Sequence, residues 1–153
     1  MGLEATVYWQ PRDYTYPYSA NVATVLVDRD NGVVKLTGYI AVDDFGTVIN
    51  PMIVDGQVHG GLAQGIGAAL WEEAVYDPSG QMVTGSFMDY AMPKASQLPD
   101  FTLDRLVTPT QLNPLGAKGM GESPTVAATP AVVNAVGDAL SPFGISHLDM
   151  PLT

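Results

Sequence analysis

The sequence predicts an α+β fold in which two helices are layered on one face of a mixed sheet. Two observations lead to this prediction: runs of β-branched residues flank a turn sequence, and two long segments with helical periodicity each begin with a capping residue followed by proline. The predicted order of elements is strand, hairpin, helix, two strands, helix and strand. A chain of 153 residues can bury one hydrophobic core, so we expect residues 1–153 to form a single domain.

The strands are predicted from residue alternation and turn chemistry. Residues 3–10 alternate weakly and are predicted to form the first strand. A hairpin is predicted over 21–28 and 32–44, because both runs are rich in β-branched residues and Asn31-Gly32 supplies the positive φ that a tight turn requires. Three more strands are predicted over 82–93, 101–109 and 144–150.

The first helix is predicted over 49–74, where Asn50 caps the helix and Pro51 occupies its first turn. A core-facing stripe recurs at every fourth residue: Val58, Leu62, Ile66 and Leu70. Another face carries Gln57 and several of the five glycines between 56 and 67. Because a glycine within a helix costs about 1 kcal/mol relative to alanine, these glycines indicate either close helix-to-sheet packing, which we favour for most of them, or a ligand or backbone against that face.

The second helix is predicted over 123–140, where Ser123-Pro124 repeats the pairing of cap and proline. Helical spacing continues through the apolar residues Val132, Val133, Val136 and Leu140. Pro130 either kinks this helix or begins another one.

Composition and charge disfavour several classes of function. Sixteen acidic residues against six basic ones give a formal net charge of −10, which argues against nucleic acid and anionic membrane surfaces as partners. No apolar run approaches the roughly 20 residues that span a bilayer, and we expect a cytoplasmic location. The chain contains no cysteine to form a disulfide or ligate an iron–sulfur cluster, and with His59 and His147 as its two histidines a zinc site is not expected.

The glycine-rich loop before the second helix is the candidate functional segment. In "NPLGAKGMGES", residues 113–123, three glycines allow backbone N–H groups to approach a ligand, and Lys118 adds a positive charge. Glu122 directly precedes the helix start, where the macrodipole favours an ionised carboxylate by about 0.3–1 kcal/mol, and such a carboxylate can act as a general base. From the residues alone, a plain tight connection and an ordinary acidic helix terminus remain open. The spacing matches neither nucleotide-binding fingerprint.

Three segments carry a resemblance to a known family: "VDDFGTVINPMIVDGQVHGGLAQGIGAALWEE", "GSFMDYAMP" and "NPLGAKGMGESPTVAATPAVVNAVGDAL". In this order and at these separations, the chain resembles the C-terminal part of the molybdopterin-binding large subunit of the xanthine oxidase family. The likeness extends over nearly the whole chain. The motifs "GAKGMGES" and "DYAMP" are similar to those of the carbon monoxide dehydrogenase and aldehyde oxidoreductase large subunits. The resemblance implies one lobe of a molybdenum cofactor-binding domain, present here as a fragment or a short subunit.

The resemblance also implies roles for individual loop residues. Glu122 corresponds to the active-site glutamate beside molybdenum, the base that deprotonates a metal-bound hydroxyl or water attacking the substrate carbon. Gly119, Met120 and Gly121 correspond to the loop whose backbone approaches the molybdenum and pterin ends of the cofactor, and Lys118 is adjacent to it.

The implied cofactor is molybdenum-molybdopterin, with the cytosine dinucleotide form as one option, and Gln57 corresponds to a glutamine that hydrogen-bonds the molybdopterin. We expect the isolated chain to lack this cofactor and to be inactive. The implied partners are the remaining half of the large subunit, iron–sulfur and flavin subunits, and a small substrate such as CO, an aldehyde or an N-heterocycle. An apolar face left exposed would also allow a homodimer. The alternative is a free-standing module of this family, without activity of its own, that acts in assembly or protein contacts.

Overall fold

The computed structural model describes residues 2–152 and contains a three-stranded sheet with two long helices. The strands are β1 (Tyr18–Val27), β2 (Val34–Asp44) and β3 (Phe101–Leu106), and the helices are α1 (Pro51–Leu70) and α2 (Ser123–Leu140). Short 3₁₀ turns lie at Ala95–Gln97 and Ser141–Phe143. β2 is the central strand, antiparallel to β1 and parallel to β3. The predicted α+β class with a mixed sheet is therefore confirmed.

The predicted hairpin forms between β1 and β2. Gly32 adopts a φ of 76°, its N–H donates to the carbonyl of Asp28 at 2.8 Å, and the N–H of Asp28 donates to the carbonyl of Val33 at 2.9 Å. This is the positive φ that the Asn31-Gly32 sequence predicts. β3 also forms, with alternate residues partly buried, but it ends at Leu106, before the predicted boundary at 109.

The core lies between the inner face of the sheet and the two helices. All four residues of the predicted α1 stripe are buried, with exposures of 2% for Val58, 0% for Leu62 and Ile66, and 2% for Leu70. They pack in one cluster with residues of the sheet and of α2: Leu36, Tyr39, Ala41, Ala128 and Val132. Helical periodicity thus identified the buried face of α1 correctly.

α1 begins where the Asn50-Pro51 pair predicts, and α2 begins at Ser123, but the N-cap of α2 is Glu122, so the prediction of Ser123 as the cap is wrong by one residue. The Asn50 side chain accepts a hydrogen bond from the N–H of Ile53 at 3.2 Å, which satisfies one of the free donors of the first turn. α1 ends at Leu70, before the predicted boundary at 74. α2 continues as a single helix through Pro130, so the alternative in which Pro130 begins another helix is wrong.

α1 and α2 approach each other closely at Gly61 and Gly65. A Cβ atom on Gly65 would lie 2.7 Å from both the Cβ of Ala128 and the carbonyl oxygen of Thr125. The hydroxyl of Thr125 donates to the carbonyl of Gly61 at 3.1 Å. Close packing therefore explains these two glycines. The sequence predicted that α1 packs closely on the sheet, but the element that contacts Gly61 and Gly65 is α2. This packing also brings the start of α2 against the middle of α1.

Three predicted strands are absent from residues 2–152: 3–10, 82–93 and 144–150. In 82–93 the chain turns, because the Ser86 hydroxyl donates to Asp89 at 2.7 Å and the Ser86 carbonyl accepts from Asp89 and Tyr90 N–H groups. Residues 3–10 are exposed and pair with no strand of the described chain. Near 144–150, Gly144 takes a left-handed φ of 78°, and the following residues are largely exposed.

Within residues 2–152, neither long helix is apolar enough over a sufficient length to traverse a bilayer.

Candidate functional site

The glycine-rich loop is anchored to the segment that follows β2. The carbonyl of Gly116 accepts from the N–H of Thr47 at 3.0 Å and from that of Thr110 at 3.1 Å. The N–H of Lys118 donates to the carbonyl of Phe45 at 2.9 Å. These bonds fix the loop up to residue 118 on the end of the central strand.

Gly116 is required by the fold itself. Its φ is 69°, and a Cβ atom there would lie 2.8 Å from the Cβ of Pro109 and 2.9 Å from the Thr47 hydroxyl. A side chain at this position would therefore face both backbone strain and a steric clash.

Gly119 and Gly121 differ from Gly116, since no contact within residues 2–152 requires them to be glycine. Neither has a positive φ. A Cβ atom on Gly119 would have no neighbour within 4 Å among the described residues, and one on Gly121 would meet just one atom, Nε2 of Gln57 at 3.9 Å. The described chain thus leaves open space beside the bare backbone at these two positions.

The loop lies next to Gln57 of α1, because a Cβ atom placed on Gly121 would be 3.9 Å from Nε2 of Gln57. Gln57 is exposed, and a Cβ atom on either of its helical neighbours Gly56 and Gly60 would also have no neighbour within 4 Å. Two segments distant in sequence thus form one surface of bare backbone with an amide side chain. We call this surface, Gly56, Gln57, Gly60 and residues 119–122, the glycine face.

The glycine face offers free hydrogen-bond donors. Within residues 2–152, the backbone N–H groups of Met120, Gly121 and Glu122 donate to no partner, whereas that of Gly119 donates to the Thr15 hydroxyl at 3.3 Å. The Met120 side chain packs against the core, so this residue presents its backbone to the surface. Free N–H groups at a helix start form a ready anion- or acceptor-binding site.

Glu122 occupies the N-cap position of α2. Its carbonyl accepts from the N–H of Val126 at 3.0 Å, while its side chain makes no capping hydrogen bond and is exposed. The carboxylate is consequently available for contacts outside the described chain.

The Lys118 side chain turns into the fold. Its ammonium lies 3.2 Å from Oδ1 of Asp44 and donates to the Thr108 hydroxyl at 2.7 Å, and the Lys118 and Asp44 side chains are each 7% exposed. A contact between Lys118 and a cofactor would therefore be made by its backbone.

Asp44 is held in its ionised form. Burial alone would raise the pKa of this carboxyl, but hydrogen bonds from the Thr108 hydroxyl, the backbone N–H groups of Gly46 and Thr108, and the Lys118 ammonium together lower its pKa below the ordinary value. The neighbouring Asp43 is also buried, and burial raises its pKa, although a hydrogen bond from Ser19 and the charge of Arg105 oppose the shift. The N–H of Gly46 donates to Oδ1 of Asp44 at 2.8 Å, a contact typical of a turn.

The other candidates do not join the glycine face. Nδ1 of His59 contacts its own helix at the carbonyl of Asp55, 2.8 Å away, and the His147–Asp149 pair is almost fully exposed. No cluster of three or more His, Cys, Asp or Glu side chains suited to a metal ion occurs in residues 2–152. Five cavities of about 310–470 Å³ are lined by residues other than Gln57 and 119–122. The glycine face lines none of these five cavities.

The sequence did not predict that the Lys118 ammonium pairs with Asp44 and donates a hydrogen bond to Thr108. The available signal was weak: a lysine within a run of glycine and small residues has few local polar partners, so a partner distant in sequence was to be expected.

Comparisons with known proteins agree with the resemblance stated above. Residues 1–99 match the family model of the molybdopterin cofactor-binding domain. The carbon monoxide dehydrogenase large chain of Hydrogenophaga pseudoflava is 43% identical over 99% of this chain and 19% of its own length. The nicotine 6-hydroxylase large subunit of Paenarthrobacter nicotinovorans is 41% identical over the same shares.

A solved structure supports the same relationship. Reconstituted CO dehydrogenase from Oligotropha carboxidovorans superposes with a TM-score of 0.92 at 43% identity, covering 95% of this chain and 18% of that one. The chain therefore spans about a fifth of the length of these relatives. Their alignments extend past residue 99 and include the glycine-rich loop, which the family model does not reach.

Proposed function

The chain belongs to the family of molybdopterin cofactor-binding domains, and we propose that it supplies the active-site glutamate, Glu122, and one wall of the cofactor pocket in a molybdenum hydroxylase. The observation that carries this proposal is the glycine face. There Gln57 and the bare backbone at Gly121 meet on one surface although nothing in the described chain requires the glycines.

The residues of the glycine face suit a molybdenum-pterin group in their chemistry. The face has room where side chains would otherwise stand, at Gly56, Gly60 and Gly119. The free N–H groups of residues 120–122 suit the acceptor atoms of the pterin or its phosphate, and the Gln57 amide offers both a donor and an acceptor. When bound, the group would supply the redox chemistry of the reaction, and its dinucleotide form is not specified by these contacts.

Glu122 serves as the general base in this proposal. Its carboxylate is exposed at the start of α2 and is unused in capping. An ionised carboxylate can accept the proton of an oxygen nucleophile as that nucleophile attacks the substrate carbon. The start of α2 thus leaves this carboxylate free for such a contact.

The substrate is a small molecule such as CO, an aldehyde or an N-heterocycle. Support for this range comes from the names of the relatives, which include a carbon monoxide dehydrogenase and a nicotine 6-hydroxylase.

The partners we propose are the remaining part of the large subunit and the iron–sulfur and flavin subunits of the enzyme. The relatives are named as large chains or large subunits, and this chain spans 19% of their length. Many apolar side chains are exposed, among them Trp9 at 63%, Phe87 at 85% and Met88 at 95%, which suits a chain that packs against further polypeptide.

Substituting Glu122→Gln in the assembled enzyme tests the proposed role. The amide keeps the shape but cannot accept the proton, so turnover per bound molybdenum should fall by about 10²–10⁴-fold, the usual contribution of a general base. Glu73→Gln, which neutralises another exposed carboxylate, should leave turnover unchanged. Undiminished turnover of the Glu122→Gln enzyme at full molybdenum content would refute the proposal.

The exposed apolar side chains also favour a second candidate, an assembly module without activity of its own. This candidate requires that molybdenum content and turnover be unchanged by substitution of either Gln57 or Glu122 in the assembled complex. The proposed function requires that substitution of Glu122 lower turnover.

A further inference from the structure

We propose that the buried Asp44–Lys118 ion pair is a positioning device that fixes residues 118–122, and with them the Glu122 carboxylate, against α1. The anchoring itself stands on the contacts of the described chain. Its consequence for turnover rests on the proposed function of Glu122.

A single carboxylate joins three separate segments at this point. Asp44, the last residue of β2, accepts hydrogen bonds from the N–H of Gly46 at 2.8 Å and from the N–H and hydroxyl of Thr108. Its fourth donor is the Lys118 ammonium at 3.2 Å. The end of the central strand, the segment after β3 and the glycine-rich loop are thus tied to one side chain.

The Lys118 ammonium is surrounded by Asp44, Thr108 and Tyr18. It donates to the Thr108 hydroxyl at 2.7 Å and lies 4.6 Å from the centre of the Tyr18 ring, an arrangement typical of a cation–π contact. Both charged side chains are only 7% exposed, so the pair differs from a solvent-screened surface pair. Removing one partner would leave the other charge buried without compensation.

The segment between Lys118 and Glu122 depends on its two ends. Gly119 and Gly121 have no side chain to hold them, and their backbone is intrinsically permissive. Along this stretch the contacts are the Gly119 N–H bond to Thr15 at 3.3 Å and the packing of Met120 on the core. Lys118 therefore fixes one end of this segment, and the packing of α2 on α1 at Gly61 fixes the other.

Amide hydrogen exchange on the chain without cofactor tests the anchor. In Lys118→Met, protection of the amides of Thr47, Thr110 and residue 118 should fall by about 10²–10⁴-fold relative to that of α1 amides such as Leu62, the range that corresponds to loss of one partner of a buried pair. Lys35→Met, which removes an exposed lysine of β2, should leave every one of these amides as in the native chain. Unchanged protection in Lys118→Met overturns the inference.

Turnover of the assembled enzyme tests the positioning role separately from stability. The double variant Asp44→Asn/Lys118→Met removes both buried charges, so it should fold and retain molybdenum better than Lys118→Met. Its turnover per molybdenum should nevertheless remain about 10²-fold low with KM little changed, because a displacement near 1 Å of a catalytic group has that effect.

The outcomes separate the two proposals. Native turnover per molybdenum in the double variant overturns the positioning role even if the amides behave as expected. Native turnover in Glu122→Gln refutes the proposed function, while the exchange measurement on the cofactor-free chain still decides whether the ion pair anchors the loop.

Discussion

Replacing Gly65 by alanine tests the close contact between α1 and α2, which brings the start of α2 to its place beside Gln57. The new Cβ atom would lie 2.7 Å from the Cβ of Ala128 and 2.7 Å from the carbonyl oxygen of Thr125. Since non-bonded carbon atoms prefer about 3.5–4.0 Å, the helices must separate by roughly 1 Å.

The expected stability change follows from two opposing terms. Overpacking of this kind costs about 1–3 kcal/mol, and the better helix propensity of alanine returns about 0.5–1 kcal/mol. We therefore expect Gly65→Ala to lower the free energy of unfolding by about 0–2.5 kcal/mol. For a chain of this size, each 1 kcal/mol corresponds to a shift of about 2–4 °C in Tm.

Gly60→Ala provides a matched control on the same helix. A Cβ atom at Gly60 meets nothing within 4 Å among the described residues, so the substitution should raise the free energy of unfolding by about 0.5–1 kcal/mol. Thermal unfolding of both variants, followed by circular dichroism, compares the two. The packing argument is refuted if Gly65→Ala is as stable as Gly60→Ala.

Two further predictions concern the glycine face and the buried carboxylate. Gly121→Ala should leave the Tm of the isolated chain unchanged or slightly raised, yet lower the molybdenum content or turnover of the assembled enzyme, because the new methyl group projects only toward Gln57 and the bare surface. Asp44 has a lower pKa in the folded chain than in the unfolded chain. Its carboxylate therefore stabilises the fold at any pH above the unfolded-state pKa, and this stabilisation is lost as the pH falls toward the folded-state pKa. Denaturant titrations below about pH 4 should show that loss in the native chain and a flatter pH dependence in Asp44→Asn, and equal slopes would contradict it.

The elements with local signals were predictable from the sequence. Asn31-Gly32 determines the hairpin turn, and Asn50-Pro51 and Ser123-Pro124 determine where the helices begin. The burial of the α1 stripe followed from its four-residue spacing, because helix geometry alone places those side chains on one face.

Two predicted strands are absent for different reasons: one has no neighbouring strand to pair with, and in the other a local hydrogen bond forms a turn instead. Residues 3–10 alternate as a strand does, yet alternation does not supply a neighbouring strand. In 82–93, the Ser86 hydroxyl and Asp89 form a local turn that an apolar pattern does not reveal.

The candidate site was only partly predictable for a similar reason. Sequence placed Glu122 at a helix start, which the structure confirms, but the separation of Gln57 from Gly121 depends on helix packing at Gly61 and Gly65. The inward turn of Lys118 depends on Asp44, a partner that spacing along the chain could not identify.

Locating molybdenum by anomalous scattering in crystals of the assembled enzyme tests the central claim most directly. We predict that the anomalous peak lies over the glycine face, beside the Glu122 carboxylate and on the side of the loop where Gln57 meets Gly121. A peak on another surface of this chain, such as the cavity lined by Val25, Leu140 and Phe143, would contradict the assignment of both Glu122 and the bare backbone.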